Sequence, residues 1–354
     1  MLRPENPEQL AAVLREAAEA RHSIHLGGAF SKHALGGAVE SADVTVSTSS
    51  MRRLLSYDPR DLTVSLEAGM PFAELARTLA GHRQMLPLDP PWFTESTVGG
   101  VLAANLSGTR RRLYGTARDM VIGMTFATLE GKLIHSGGMV VKNVAGLDMA
   151  KLMIGSWGTL AAIATVNFKV FPMPAQWRTF SMEFETAAEA FAERDRVLAS
   201  VLQPSAVDIV NWPRGYRLLI QAGGNRAVLD RYAKELPRAK VDDEAVWDAI
   251  REFSRRFIAP NPGAQVVASH MTLSEMREAA QKLTVPFVAR AGSGVIYAHY
   301  LKDVPRLDDK PLSDGLTTPG VSQGNLGDFA TMIRVKEMFD PHRLLNRGRF
   351  YGRI

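Results

Sequence analysis

Few residues in this chain are spaced for side-chain chemistry, and many are spaced for main-chain chemistry. From Pro87 to Pro172, glycines recur among Thr, Ser and Asn: Gly99-Gly100, Gly108, Gly115, Gly137-Gly138, Gly146, Gly155 and Gly158. Glycine lets the backbone approach a ligand closely. Short hydroxyl and amide side chains add donors and acceptors. Such a surface suits a large, flat ligand with a phosphate tail; it equally suits a set of tight turns. A second glycine loop, Gly27 to Gly37, carries Ser31 and Lys32. Its successive backbone N–H groups could form an anion nest for a pyrophosphate. It is neither GxGxxG nor GxxxxGK[ST], so a nicotinamide-type Rossmann site and a P-loop both lose weight.

Other chemistries are poorly supplied. There is no cysteine, which removes disulfides, thiolate nucleophiles, thiolate zinc sites and iron–sulfur clusters ligated by this chain. The eight histidines are scattered, and none has HExxH or similar metal spacing. The net charge is +5. The main basic run, Arg110-Arg111-Arg112, lacks a recognisable nucleic-acid module and reads as a solvated or partner-facing face. No run is long enough to span a membrane. The first twenty residues lack an apolar h-region, so a cytoplasmic address is expected, with membrane association only through a partner.

The elements that must carry these loops follow from periodicity. With 354 residues, the chain should form two domains. Asn6 and Pro7 open a helix to Arg21, followed by strands over Ser23–Leu26, Val44–Ser47 and Leu62–Glu67 and a helix over Pro71–Ala80. Two strands, Asp119–Leu129 and Lys132–Ser136, turn at Glu130-Gly131. A short helix over Met149–Ile154 precedes an apolar strand over 160–171. Composition shifts at Pro172-Met173-Pro174. Beyond it the order β-α-β-β-α is most of a ferredoxin-like unit. A helix over Asp243–Phe257 and further strands extend it. Residues 302–327 read as a polar loop before a last helix, Asp328–Phe339.

PLDPP (87–91), TVGGVLAANLSG (97–108), LYG (113–115), VVKNVAGLDMAKLMIGSWGTL (140–160) and FDPHRLLNRGR (339–349) together resemble the FAD-binding proteins of the vanillyl-alcohol-oxidase type, also called PCMH-type. Within them the set is most similar to the E-subunit family of bacterial glycolate oxidase (glycolate dehydrogenase). The resemblance implies an α+β fold: a PCMH-type FAD-binding domain of two α+β subdomains over 1–175, and a smaller ferredoxin-like cap over 176–325. A helix and tail over 326–354 would return to the FAD domain. Gly27, Gly28, Ala29, Phe30, Ser31 and Lys32 would cradle the pyrophosphate. Thr97, Gly99, Gly100, Asn105, Ser107 and Gly108 would line the cofactor cleft, and Asn143, Val144, Gly146 and Asp148 would continue it. Gly158, Thr159 and Ile163 would sit near the adenosine half, and Asn346 would return to the flavin region. Simpler roles compete: Asp148 as a helix N-cap, Asn105 within a turn, Lys32 in solvent. Flavinylated relatives often carry His directly after the first glycines; here Phe30 stands nearby and His33 comes later, so the FAD is expected to be noncovalent. Arg347 stands where many relatives have Pro.

The implied reaction is oxidation of glycolate, or a related 2-hydroxy acid such as D-lactate, to the 2-oxo acid. No catalytic residue is assignable. His270 and His299 lack the paired histidine pattern of the metal-dependent relatives and read as structural; no metal is expected. The implied partners are a second, catalytic FAD-binding subunit and an iron–sulfur subunit, with no nucleic acid. An accessory or electron-transferring subunit of that complex, a stand-alone FAD oxidoreductase for another alcohol or sugar derivative, and a structural subunit with weak or no flavin are the three readings.

Overall fold

The computed structural model describes residues 1–33, 35–37, 39–139, 147–302 and 329–352. The N-terminal part begins with α1 (Pro7–Glu19), β1 (Ile24–Gly27), β2 (Val44–Ser47), β3 (Leu54–Asp58) and β4 (Thr63–Glu67). It continues through α2 (Phe72–Ala80), β5 (Gln84–Met85), α3 (Val98–Ala104), α4 (Arg111–Tyr114) and α5 (Ala117–Met120). It closes with β6 (Val121–Ala127), β7 (Leu133–Gly137), α6 (Met149–Met153), β8 (Ala162–Lys169) and β9 (Phe171–Pro172).

α1 forms as its sequence dictates: Asn6 accepts the Gln9 amide, Pro7 sits in the first turn, and Leu10, Leu14 and Ala17 are buried. That face packs with Ile24, Val46 and Ala164 beside the small parallel pair β1–β2. A second layer is the antiparallel sheet β3-β4-β8-β6-β7, whose apolar face meets α2, α3, α5 and α6. The N-terminal part is thus built as two α+β subdomains with their loops meeting between them.

The cap comprises β10 (Gln176–Phe184), α7 (Ala187–Ala199), β11 (Ala206–Val210), β12 (Tyr216–Gly224), α8 (Arg226–Glu235) and β13 (Lys240–Asp242). Their sheet order, β13-β10-β12-β11, is that of a ferredoxin-like unit. α9 (Ala245–Arg251), α10 (Phe253–Ile258), β14 (Gln265–His270), α11 (Met276–Lys282), β15 (Phe287–Arg290) and β16 (Val295–Tyr300) extend it to seven strands. α12 (Phe329–Phe339) and α13 (Arg349–Gly352) form the tail. The polar loop expected over 302–327 lies, from residue 303, outside the described residues.

Two expectations change. The helix over 243–257 breaks at Glu252 (φ −92°, ψ 2°), whose carboxylate is drawn to the Phe93 amide, Arg251 and Arg255. The basic run is not a free face. Arg110 binds Asp89 at 3.1 Å and Gln221 at 3.0 Å and covers the Trp177 ring, and Arg112 packs against Gly292 and reaches the Pro204 carbonyl. Those arginines are spent joining the FAD-side loops to the cap.

The tail docks on the N-terminal part. Ile24 donates to the Leu344 carbonyl at 2.7 Å and accepts from Asn346 at 2.9 Å, so residues 344–346 add a short bridge beside β1. Lys336 and Asp340, both buried, pair at 2.7 Å; Lys336 also donates to the Thr159 and Leu345 carbonyls, and Asp340 accepts the Leu344 and Leu345 amides. Asp340→Ala should leave a buried ammonium without its counter-ion and two buried amides unpaired. We expect a loss of about 3–5 kcal/mol in urea unfolding; a change below about 1 kcal/mol would show that the tail adds little.

Candidate cofactor site

The two subdomains flank an open cleft along loop 27–33, one side of α3 and the turn 157–163. β1 delivers the loop at one wall, where Ser47 Oγ donates to the Gly28 carbonyl at 2.7 Å. Among the described residues, the backbone amides of Ala29, Phe30, Ser31 and Lys32 donate to no protein acceptor. All four residues line the cleft. Phe30 holds the left-handed conformation (φ 54°) and packs edge-on against His25 at 4.8 Å. His33 lies at the rim with Nδ1 2.9 Å from the Phe30 carbonyl.

At two positions the lack of a side chain decides the shape. A Cβ on Gly28 would fall 2.0 Å from Thr97 Oγ1, so glycine there lets the loop close on the N-cap of α3. A Cβ on Gly100 would meet only Thr97 Oγ1, at 3.1 Å, and otherwise point into open cleft. Gly99 differs: its Cβ would press on Ala68, at 2.9 Å, so it serves packing between α3 and β4.

Gly27, Gly28, Ala29, Phe30, Ser31, Lys32, Thr97, Gly99, Gly100, Gly158 and Ile163 are brought together around this cleft. The others lie elsewhere. Asn105 is the exposed, left-handed C-cap of α3 (φ 48°). Ser107 and Gly108 follow it, and Gly108 packs on the Asp89 main chain. Thr159 is buried behind the cleft and donates to the Ser156 carbonyl. Asp148 occupies the N-cap position of α6 without a capping bond, 3.7 Å from the Lys151 ammonium. Asn346 is a strut: it accepts the Leu26 amide at 2.7 Å and donates to the Leu26 and Trp157 carbonyls. Asn143, Val144 and Gly146 lie outside the described residues.

Sequence reasoning passed over Thr48, Trp157 and Arg349. Trp157 walls the cleft, with the Arg349 guanidinium 5.2 Å above its ring. Arg349 donates to the carbonyls of His33, Leu35 and Gly37 and so fixes the end of the glycine loop. It stood within the recognised tail motif, but its role depends on a contact that no local spacing reveals.

Lys32 is a buried charged residue lining the cleft. It donates to Ser96 Oγ and, at 3.4 Å, to Ser31 Oγ. Burial pushes its pKa down to about 7, against Glu252 and Glu95, which raise it. His25 is likewise lowered, by burial first and then by Arg349 and His33. Unpaired amides, Lys32 and Arg349 make the cleft suited to an anion, while Trp157, Ala161, Ala162 and Ile163 offer an apolar wall. A pyrophosphate between flat aromatic ends fits that combination.

Residues 1–137 match the family model of the FAD binding domain. The N-terminal part of the chain therefore carries an FAD-binding domain, and the protein is a flavoprotein. This flavoprotein is 27% identical to glycolate oxidase subunit GlcE of Escherichia coli (strain K12), over 98% of both chains. It is 25% identical to a D-lactate dehydrogenase of Anaerostipes hadrus, over 97% of this chain and 87% of that protein. It is 26% identical to glycolate oxidase subunit GlcD of Bacillus subtilis (strain 168), over 60% of this chain and 45% of that one. Its fold resembles alkyldihydroxyacetonephosphate synthase (TM-score 0.74, 18% identity, 98% of this chain and 75% of that one). It also resembles 4-ethylphenol oxidase from Gulosibacter chungangensis (TM-score 0.73, 14% identity, 99% and 88%). FAD is the cofactor of the flavoprotein.

The glycines separate two causes of failure. Gly100→Val should leave the unfolding midpoint near wild type and release the flavin. Gly99→Val should lower stability by about 1–3 kcal/mol through overpacking on Ala68. Absorbance of the purified variants and urea unfolding read both effects; full flavin in Gly100→Val would place the cofactor elsewhere.

Proposed function

We propose that this flavoprotein is the FAD-bearing, accessory or electron-transferring subunit of a complex that oxidises glycolate or a related 2-hydroxy acid. The observation that carries the reading is co-extension: the chain and a glycolate oxidase subunit match over 98% of each other's length. The partners implied are a second FAD subunit and an iron–sulfur subunit. Among the described residues no helix is long and apolar enough to cross a membrane, so attachment to one would run through such a partner.

A 2-hydroxy acid that becomes a 2-oxo acid gives up two electrons and two protons. FAD, when bound, supplies the two-electron acceptor. The substrate's hydroxyl proton needs a base, and the cap histidines are poorly placed to be one. His299 is buried between Phe253 and Phe257, with Nε2 2.9 Å from Ser254 Oγ and Nδ1 3.2 Å from the Pro286 carbonyl. Burial lowers its pKa to about 4, so it stays neutral with both nitrogens engaged. His270 is lowered by burial and by Arg111. On the accessory reading, the base belongs to a partner.

One observation favours a stand-alone enzyme instead. A second cleft between FAD domain and cap is walled by Phe72, Phe93, Trp177 and Trp247, with Arg110 and Glu244 at its edge. A substrate larger and more apolar than glycolate would suit it.

Two measurements test the proposal. Acid precipitation should leave the yellow colour in the supernatant, because no histidine directly follows the loop glycines; colour held in the pellet on a His33 peptide would refute noncovalent binding. Anaerobic mixing of the isolated, flavin-loaded chain with excess glycolate or D-lactate should bleach the flavin little, and dye reduction should require the assembled complex. Rapid, complete bleaching of the isolated chain would overturn the accessory reading.

A further inference from the structure

Residues 92–97 lie between the cofactor cleft and the cap. On the cleft side, Ser96 Oγ accepts the Lys32 ammonium and Thr97 lines the wall. On the cap side, the Phe93 amide donates to Glu252 Oε1 at 3.1 Å, the Arg251 guanidinium lies 4.3 Å over the Phe93 ring, and Glu95 pairs with Arg255 at 3.1 Å. Ser96 Oγ also donates to the Trp92 carbonyl at 2.6 Å, which closes the segment into one turn. Trp92 itself is left-handed (φ 56°), so the turn needs outside support to hold its shape. Glu252 supplies that support from the break between α9 and α10, where it is almost fully buried.

We infer that Glu252 is a positioning residue for the cofactor cleft: it holds the turn 92–97 in place and sustains the positive charge of Lys32, so that cap docking and FAD binding reinforce each other. The inference rests on the reading that Lys32 faces the phosphates of FAD in this cleft.

The charges around Lys32 set the sign. Glu95 on its own turn and Glu252 on the cap are negative and favour the ammonium. Arg255 binds both of them, and Arg251 lies 3.3 Å from Glu252, so each tempers that effect. The Arg349 guanidinium, which binds the His33 carbonyl at the other end of the loop, adds a like charge to the same cleft. Burial, the largest influence, pushes the Lys32 pKa down to about 7 against these carboxylates, so the unbound lysine titrates around neutral pH. A phosphate binds the ammonium far better than the amine. Above pH 7 the protein must take up a proton to bind FAD, so affinity falls as pH rises, by up to about tenfold per pH unit. Without the Glu252 charge the lysine loses its proton at lower pH, and the decline begins earlier. By linkage, bound FAD strengthens the attraction between Lys32 and Glu252 and so tightens the cap.

The test is FAD affinity of the full chain, read by flavin fluorescence from about pH 6 to about pH 9. In wild type the affinity should bend downward near pH 7, and Lys32→Met should remove the bend. Glu252→Gln keeps an acceptor for the Phe93 amide but loses the charge. Its bend should move to lower pH, with binding several-fold weaker than wild type near pH 8 and convergence toward acid. Glu252→Asp should restore the wild-type bend. A flat wild-type profile would overturn the reading of Lys32, and the inference with it. A wild-type bend that Glu252→Gln leaves in place would overturn the inference alone. If Glu252→Gln fails to fold, Glu95→Gln, which is half-exposed, should give a smaller shift in the same direction, and its absence would count equally against us.

Discussion

Asn346 ties the two walls of the cofactor cleft together. Its amide group accepts the Leu26 N–H and donates to the Leu26 and Trp157 carbonyls, joining β1 to the turn that precedes β8. All three bonds are buried, so each would otherwise leave a backbone group unpaired away from water. The strut exists only because the tail docks. Leu344 and Leu345 enter the core shared by α1 and β1, and the Lys336–Asp340 pair fixes their main chain. Burying two leucines contributes roughly 3–6 kcal/mol, which opposes the cost of burying the ion pair. The cofactor cleft is therefore a product of both ends of the chain.

The same economy of charge recurs at the domain interface. Arg110 and Arg112 face the cap, and Glu252 faces back toward the cleft. Each is held by partners from the other domain. A buried charge held only from one side would be costly, so these contacts favour a single mutual arrangement of FAD domain and cap. The cleft and the cap are neighbours in space, with the turn 92–97 between them.

Much of this was legible in the sequence where local rules decide. α1 announces itself through Asn6, Pro7 and its apolar spacing, and the ferredoxin-like order of the cap follows from periodicity. α3 was not legible, because Gly99 and Gly100 are poor helix formers; Thr97 caps it and contact with Ala68 selects it. The break at Glu252 and the burial of Arg110 involve partners distant in sequence, Phe93 for the one and Gln221 for the other. At the site, the loop from Gly27 to Lys32 could be read from its glycines, whereas Asn346 entered only through a family resemblance. Asn105 ends α3 and Asp148 precedes α6, and neither lines the cleft described.

The central claim is that main-chain donors at 29–32, with Lys32, hold a pyrophosphate, and that the 157–163 turn takes the adenosine half. Calorimetric titration of the flavin-free chain with FAD, FMN and riboflavin tests it most directly. Hydrogen bonds to a charged group contribute about 1.5–3 kcal/mol each, so FAD should bind at least roughly a hundredfold more tightly than FMN, and riboflavin more weakly still. Equal affinities for FAD and FMN would contradict the account.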